Sequence, residues 1–218
     1  MRQPCSTLVT LVALSLALAG CYGAYQVKPD APRAMSGLVP NVEDKDAGLV
    51  AVAPAFDITA YRVIAVSSLP VTDATVKDDG DRRLAQSMST FLQSELVRRL
   101  RESELFERVV NLAETPMPGG ATKTLRIDGD ITRMGLGSQA ARAMAGLYGA
   151  GRTRAQIELR FVDVATGRVV LLTADRRVAS MGFFGGDSKD HLRESFDDAA
   201  RDLARFLVRL SRGEAPRP

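Results

Sequence analysis

The sequence contains no tryptophan, only one histidine and two cysteines, and aromatic residues make up 6% of it. His191 has no neighbouring cysteine or histidine at the spacing that metal ligands or a catalytic triad require. We therefore expect no metal site, no cofactor and no enzymatic activity. The 29 basic and 26 acidic side chains nearly balance, and this balance also argues against a nucleic-acid partner.

The acidic residues include two sets that superficially suggest chemistry. Asp128 and Asp130 would share one face of a strand, as the carboxylates of a glycosidase might, but we expect them on the solvent side of a sheet. Asp78, Asp79 and Asp81 surround Gly80 like part of a calcium loop, yet the loop's bidentate glutamate is missing. Both sets are therefore expected to be ordinary surface groups.

The N-terminal segment has the features of a secretory signal. Arg2 precedes an apolar run, 8–18, which is too short to span a bilayer. Leu18-Ala19-Gly20-Cys21 then resembles the lipobox of bacterial lipoproteins, which implies cleavage between Gly20 and Cys21 and acylation of the Cys21 thiol. We expect residues 1–20 to be a signal peptide and Cys21 to anchor the protein in a membrane. Cys5 would leave with the signal, so no disulfide can form within the mature chain.

The residue that follows the lipid-bearing cysteine indicates which membrane holds the protein. Tyr22 stands where inner-membrane lipoproteins of Gram-negative bacteria usually have aspartate. This resemblance implies the outer membrane, with the protein facing the periplasm.

The segment that follows is rich in proline, glycine and aspartate and shows no sustained periodicity. We predict that residues 21–55 comprise the lipidated cysteine and a flexible tether. An extended arm that packs on the domain or on a neighbour is the alternative. Residues 213–218 are predicted to be a disordered tail.

The remaining residues, 56–212, predict one α+β domain: a mostly antiparallel sheet with two helices packed on one face. The predicted strands cover 62–66, 105–110, 125–134, 155–164 and 168–174. Gly167 provides the tight turn between the last two strands. The predicted helices cover 82–103 and 188–211, and each carries apolar residues at three- and four-residue spacing.

Two segments between these elements are candidate interaction sites. The glycine-rich run 135–151 lacks the context of a phosphate-binding loop. It predicts either an irregular loop or close packing through Gly146, Gly149 and Gly151 against the sheet or a second subunit. Phe183 and Phe184 either plug the core or contact a partner or the membrane.

A resemblance to a known family rests on several of these motifs together. They are Gly-Ser-Gln-Ala-Ala-Arg-Ala at 137–143, Gly146, 149–152, Val162-Asp163-Val164-Ala165-Thr166-Gly167 and Gly182-Phe183-Phe184-Gly185-Gly186. From about residue 60 to 208 the sequence resembles the "domain of unknown function 4410" family of bacterial proteins, which are mostly lipoproteins without an established activity. By looser similarity of element order, the domain also resembles periplasmic lipoproteins that join secretion or cell-wall assembly complexes. That similarity implies a lipid-anchored binding or assembly domain, as a homo-oligomer or with an envelope protein. A periplasmic lipoprotein that binds a small molecule or a cell-wall fragment is the alternative.

Overall fold

The computed structural model describes residues 24–120, 122–135, 153–179 and 188–218. In these ranges the chain forms eight strands and two long helices. The strands are β1 (Ala24–Val27), β2 (Val42–Asp44), β3 (Gly48–Val52), β4 (Val63–Val66), β5 (Arg108–Asn111), β6 (Thr124–Gly135), β7 (Thr153–Asp163) and β8 (Val169–Ala179). The helices are α1 (Asp79–Glu102) and α2 (Ser188–Ser211), and a short 3-10 turn covers Ile58–Ala60.

The eight strands form one sheet in the order β2-β3-β8-β7-β6-β4-β5. β1 pairs with the last residues of β8, on the edge whose earlier residues pair with β3. β4 runs parallel to both of its neighbours, β5 and β6, and all other pairs are antiparallel. The predicted α+β class with a mostly antiparallel sheet is confirmed.

Both helices pack on one face of the sheet, where the main core lies. Their apolar stripes meet the inward-facing residues of β3, β4, β6, β7 and β8 in a single cluster that includes Leu92, Phe196, Phe206, Ile127 and Phe161. α1 begins three residues before the predicted start because Asp78 is its N-cap and accepts a hydrogen bond from the amide of Asp81 at 2.7 Å. Asp78 is therefore a helix cap and is exposed to solvent.

The hairpin between β7 and β8 forms at the predicted turn. Gly167 adopts a φ of 68°, a conformation that glycine reaches without steric cost. Its amide donates to the carbonyl of Asp163 at 2.8 Å, and the Asp163 carboxylate accepts from the amide of Thr166 at 2.9 Å. The two strands extend well past this turn, and their far ends are joined at Thr153 and Ala179.

The predicted tether is wrong over most of its length, because residues 24–52 contribute three strands to the sheet. Val50 is fully buried, and Ala47 and Leu49 are nearly so. The long-range pairing of β1 and β3 with β8 supplies the order that the local sequence pattern does not predict. The alternative of an arm packed on the domain describes this segment correctly.

The predicted disordered tail is also tied to the domain. The amide of Lys45 donates to the carbonyl of Arg217 at 2.8 Å, and the amide of Arg217 donates to the Asp44 carboxylate at 3.0 Å. The tail therefore pairs with the turn between β2 and β3.

Candidate functional site

The sheet face opposite the helices carries a ladder of charged side chains on β6 and β7. Asp128 accepts hydrogen bonds from the Ser67 hydroxyl at 2.7 Å and from the Arg126 guanidinium at 2.7 and 2.8 Å. Burial alone would raise the pKa of Asp128, but these hydrogen bonds and the nearby Arg160 lower that pKa below its ordinary value. Asp128 is thus held ionised.

Asp130, the second carboxylate of the predicted pair, is also engaged in ion pairs. It accepts from Arg33 at 2.8 Å and from Arg160 at 3.5 Å. A glycosidase needs one carboxylic acid with a raised pKa to protonate the leaving group. The lowered pKa of Asp128 is the opposite of that requirement, and Asp130 is covered by Arg33.

Arg33 belongs to a segment, residues 28–40, that crosses the outer face of the sheet and is here named the N-terminal strap. The amide of Asp30 donates to the Gln156 side chain at 2.8 Å, and Gln156 donates back to the carbonyl of Asp30 at 2.9 Å. Arg33 bridges Asp130 and Glu158, and Arg176 pairs with the Asp30 carboxylate. The strap therefore covers polar side chains that the sequence alone places in solvent.

A second charged network lies on the helix side of the sheet and joins α2 to the N-terminal strands. Arg177 donates to Asp175 and to Asp202, both at 2.8 Å. Burial tends to lower the pKa of Arg177, but its two carboxylate partners raise that pKa, so the group is permanently charged. The side-chain amide of Gln26 in β1 also donates a hydrogen bond to the Asp175 carboxylate, at 3.0 Å.

One cavity of about 340 Å³ opens between β1 and the β2–β3 turn. Its lining includes Lys28, Glu43, Lys45 and Pro218. This volume falls within the range of about 300–1,000 Å³ that is usual for small-molecule sites. We refer to it as the edge cavity.

The predicted interaction residues fall outside the described residues. They are Gly20, Cys21, Gly146, Gly149, Gly151, Phe183 and Phe184. The described residues nevertheless fix where the chain leaves and re-enters the sheet. Gly135 pairs with Arg154, and Ala179 pairs with both Thr153 and Ala24. These strand ends meet at one end of the sheet, named here the proximal end, and the β7–β8 turn at 164–168 marks the distal end.

His191 lies in the first turn of α2, as predicted. Its side chain is 18% exposed, and its Nδ1 lies 3.6 Å from the Glu194 carboxylate. Within the described ranges, no three acidic, histidine or cysteine side chains are grouped closely enough to hold a metal ion. None of the helices in the described part of the chain is both long and apolar enough to cross a membrane.

The sequence predicted a packed N-terminal arm only as an alternative, and it did not predict the ion pairs around Arg209, Asp44 and Asp46. One local signal was available, since Leu49-Val50-Ala51-Val52 is an uninterrupted apolar run of the kind found in buried strands. The ion pairs themselves had no such signal, because their partners are up to 165 positions apart in the sequence.

The fold resembles several solved structures at low sequence identity. A protein from Xanthomonas campestris, XCC0632, aligns at 12% identity over 74% of this chain and 92% of that chain, with a TM-score of 0.48. The PelC dodecamer from Paraburkholderia phytofirmans aligns at 12% identity over 71% of this chain and 94% of that chain, with a TM-score of 0.44. At these values neither similarity carries a function over to this chain. No curated protein matches the sequence.

The family comparison covers most of the domain. Residues 58–195 match the family described as "Domain of unknown function (DUF4410)". This range contains β4 to β8, α1 and the start of α2, and it leaves β1, β2 and β3 outside. The resemblance expected from the glycine and Phe-Phe motifs is confirmed: the chain belongs to the DUF4410 family.

Proposed function

We propose that the protein is a lipoprotein, anchored through Cys21 in the outer membrane and facing the periplasm, whose domain binds an envelope protein or further copies of itself without catalysis. The observation that carries the proposal is the Leu18-Ala19-Gly20-Cys21 lipobox, placed just ahead of Ala24, where the chain joins the sheet. Acylation of Cys21 would then tether a folded domain directly. Two or more acyl chains suffice for stable anchoring.

The state of Asp128 and Asp163 supports a role in binding and not in catalysis, whereas burial raises the pKa of Asp175 against the effect of its partner Arg177. Asp128 has a lowered pKa, and so does Asp163, where hydrogen bonds from Tyr61 and Thr166 outweigh burial. Carboxylates held ionised by fixed partners stabilise the fold and are poorly suited to exchange protons with a substrate.

The anchor is tested by substituting each of the two cysteines separately in the full chain. Cys21→Ser should abolish the acyl mass on the mature N-terminus and release the protein from membranes. Cys5→Ser is the matched control and should leave both unchanged. Intact mass spectrometry and density-gradient separation of the inner and outer membranes provide the readouts. Unchanged membrane association of Cys21→Ser would contradict the proposal, and recovery in the inner membrane would refute its location.

Self-assembly is tested by light scattering on the soluble chain 22–218. The sequence predicts that the Gly146→Leu, Gly149→Leu double variant dissociates a discrete oligomer. Gly119→Leu is a suitable control, because a Cβ at Gly119 meets nothing within 4 Å. A monomer in all three proteins would rule out assembly through this segment and leave a heterologous envelope partner.

The edge cavity favours a second candidate, the binding of a small molecule or cell-wall fragment. Its Lys28 could pair with a carboxylate of a muropeptide, whereas Lys45 is already paired with Asp46 at 2.7 Å. Calorimetric titration of the soluble chain with purified muropeptides should then show binding that Lys28→Ala weakens and that Lys77→Ala, an exposed lysine of another loop, does not. The absence of binding by the unmodified chain would eliminate this candidate.

A further inference from the structure

The position of β1 limits how far the domain can lie from a lipid attached to Cys21. Ala24, the first residue of β1, pairs with Ala179 and follows Cys21 by three residues. A fully extended chain spans at most ~3.6 Å per residue, so the Cα atoms of Cys21 and Ala24 lie within about 11 Å of each other. This distance is short beside the length of the sheet, and it holds one end of the domain close to the bilayer.

The end so held is the proximal end, where several other elements also terminate. β6 ends at Gly135, β7 begins at Thr153 and β8 ends at Ala179. The entry to α1 lies there as well, because Asp73 accepts a hydrogen bond from the amide of Met134 at 2.7 Å. The β7–β8 turn lies at the opposite end of β7 (Thr153–Asp163), roughly 34 Å away at ~3.4 Å per residue.

The last outward-facing row of the proximal end has the composition of a membrane-interface contact. Tyr25 pairs with Val178, and Val178 pairs with Arg154 across β8 and β7. Tyr25 is 44% exposed and Arg154 is exposed. Tyrosine and arginine both combine an apolar body with a polar tip, which suits the boundary between headgroups and acyl chains.

We propose that the proximal end of the sheet lies against the lipid surface, with Tyr25 and Arg154 in contact with the headgroups and the β7–β8 turn pointing away from the membrane. This inference rests on the lipidation of Cys21 proposed above. In this orientation the domain stands on its end, and the outer face of the sheet, which the N-terminal strap covers through Arg33 and Asp30, is turned to the side.

The loss of both native thiols in the mature lipoprotein makes the orientation measurable. Cys5 leaves with the signal and Cys21 is acylated, so a single introduced cysteine becomes the only site for a fluorescent label. Arg154→Cys places the label at the proximal end, and Ala165→Cys places it in the exposed β7–β8 turn. The full-length acylated protein is reconstituted into phosphatidylethanolamine–phosphatidylglycerol vesicles that contain lipids with nitroxide headgroups.

The expected result is several-fold stronger quenching of the label at position 154 than of the label at position 165. Equal quenching, or stronger quenching at 165, on protein whose acyl mass is confirmed would overturn the orientation while leaving the anchor intact. Absence of the acyl mass would instead refute the anchor itself, and with it the inference. Matching urea midpoints for the two labelled proteins ensure that the comparison is made on folded domains.

Discussion

A single nitrogen of the Arg209 guanidinium lies 2.7 Å from both oxygens of the Asp44 carboxylate. Arg209 comes from the last turn of α2 and Asp44 from the end of β2, so the contact joins the two ends of the described chain. The Arg209 Nε also donates to Asp46 at 3.0 Å. All three side chains are at least nine-tenths buried.

Removing this guanidinium should be strongly destabilising, because it leaves the fully buried Asp44 carboxylate without its cation. Asp46 would lose one of its partners and keep Lys45 and Arg205. We expect Arg209→Ala to lower the free energy of unfolding by about 3–5 kcal/mol, measured by urea denaturation of the soluble chain 22–218. Arg212→Ala, an exposed position one residue beyond α2, is the control and should change it by less than about 0.5 kcal/mol. A loss of under about 1 kcal/mol for Arg209→Ala would show that Asp44 and Asp46 find other partners or water.

Gly129 should tolerate no side chain, because β7 passes too close. A Cβ at this position would lie 2.5 Å from the carbonyl oxygen of Glu158 and 2.6 Å from the Leu159 side chain. We expect Gly129→Ala to lower the free energy of unfolding by about 1–3 kcal/mol, as substitutions that overpack a core do. Thermal unfolding beside Gly119→Ala, whose added methyl meets open space, provides the comparison. Equal midpoints for the two variants would mean that β6 and β7 separate without cost.

The fold should lose stability in acid partly through Asp73. Burial alone would raise the pKa of Asp73, but hydrogen bonds from Met134 and Thr75, with a contribution from Arg133, lower that pKa below its ordinary value. The stabilisation is therefore fully present above the unfolded-state pKa of about 4, and it is lost as the pH falls through the lower folded-state value.

The substitution that tests this role of Asp73 is Asp73→Asn, which keeps one hydrogen-bond acceptor but removes the charge. Asp73→Asn should lower the free energy of unfolding by about 1–2 kcal/mol at neutral pH. It should also flatten the fall of that free energy between about pH 5 and pH 2. Urea midpoints at a series of pH values measure both effects, and Asp79→Asn, at the exposed start of α1, is the control. An unchanged slope for Asp73→Asn would remove Asp73 from the acid transition.

A chain that begins at residue 56, the domain boundary predicted from the sequence, should fail to fold into a soluble monomer. It lacks β1, β2 and β3 and exposes the edge of β8 that they cover, and exposed edge strands promote aggregation. The chain 22–218 should give a monodisperse or discretely oligomeric species by size-exclusion chromatography. Cooperative unfolding of a soluble chain 56–218 would show that the N-terminal strands are dispensable.

The elements that the sequence predicted well are those with local signals. The helices follow their apolar stripes, from Leu84 to Leu100 and from Leu192 to Leu210, and the β7–β8 hairpin follows strict alternation around Gly167. Residues 24–52 carry weak local signals and are ordered by partners far away in the chain, such as Arg33 with Asp130 and Val50 with Thr173 of β8. The aspartates of β6 were placed on the correct face, but the contact between Asp130 and Arg33 of the strap was not predictable from β6 itself.

The pairing of β1 with β8 also has a consequence for biogenesis. A secreted chain emerges N-terminus first, yet Gln26 must wait for Asp175, its hydrogen-bond partner 149 positions later. In a chain exported as proposed, the sheet can close only after nearly the entire domain has been translocated, and such non-local pairing makes folding slow. If the chain is exported and acylated as proposed, β1 therefore stays unpaired for a time after export, and we expect holding chaperones to bind it at that stage. Pulse-labelled chains should remain protease-sensitive well after export if this is so, and immediate resistance would disprove it.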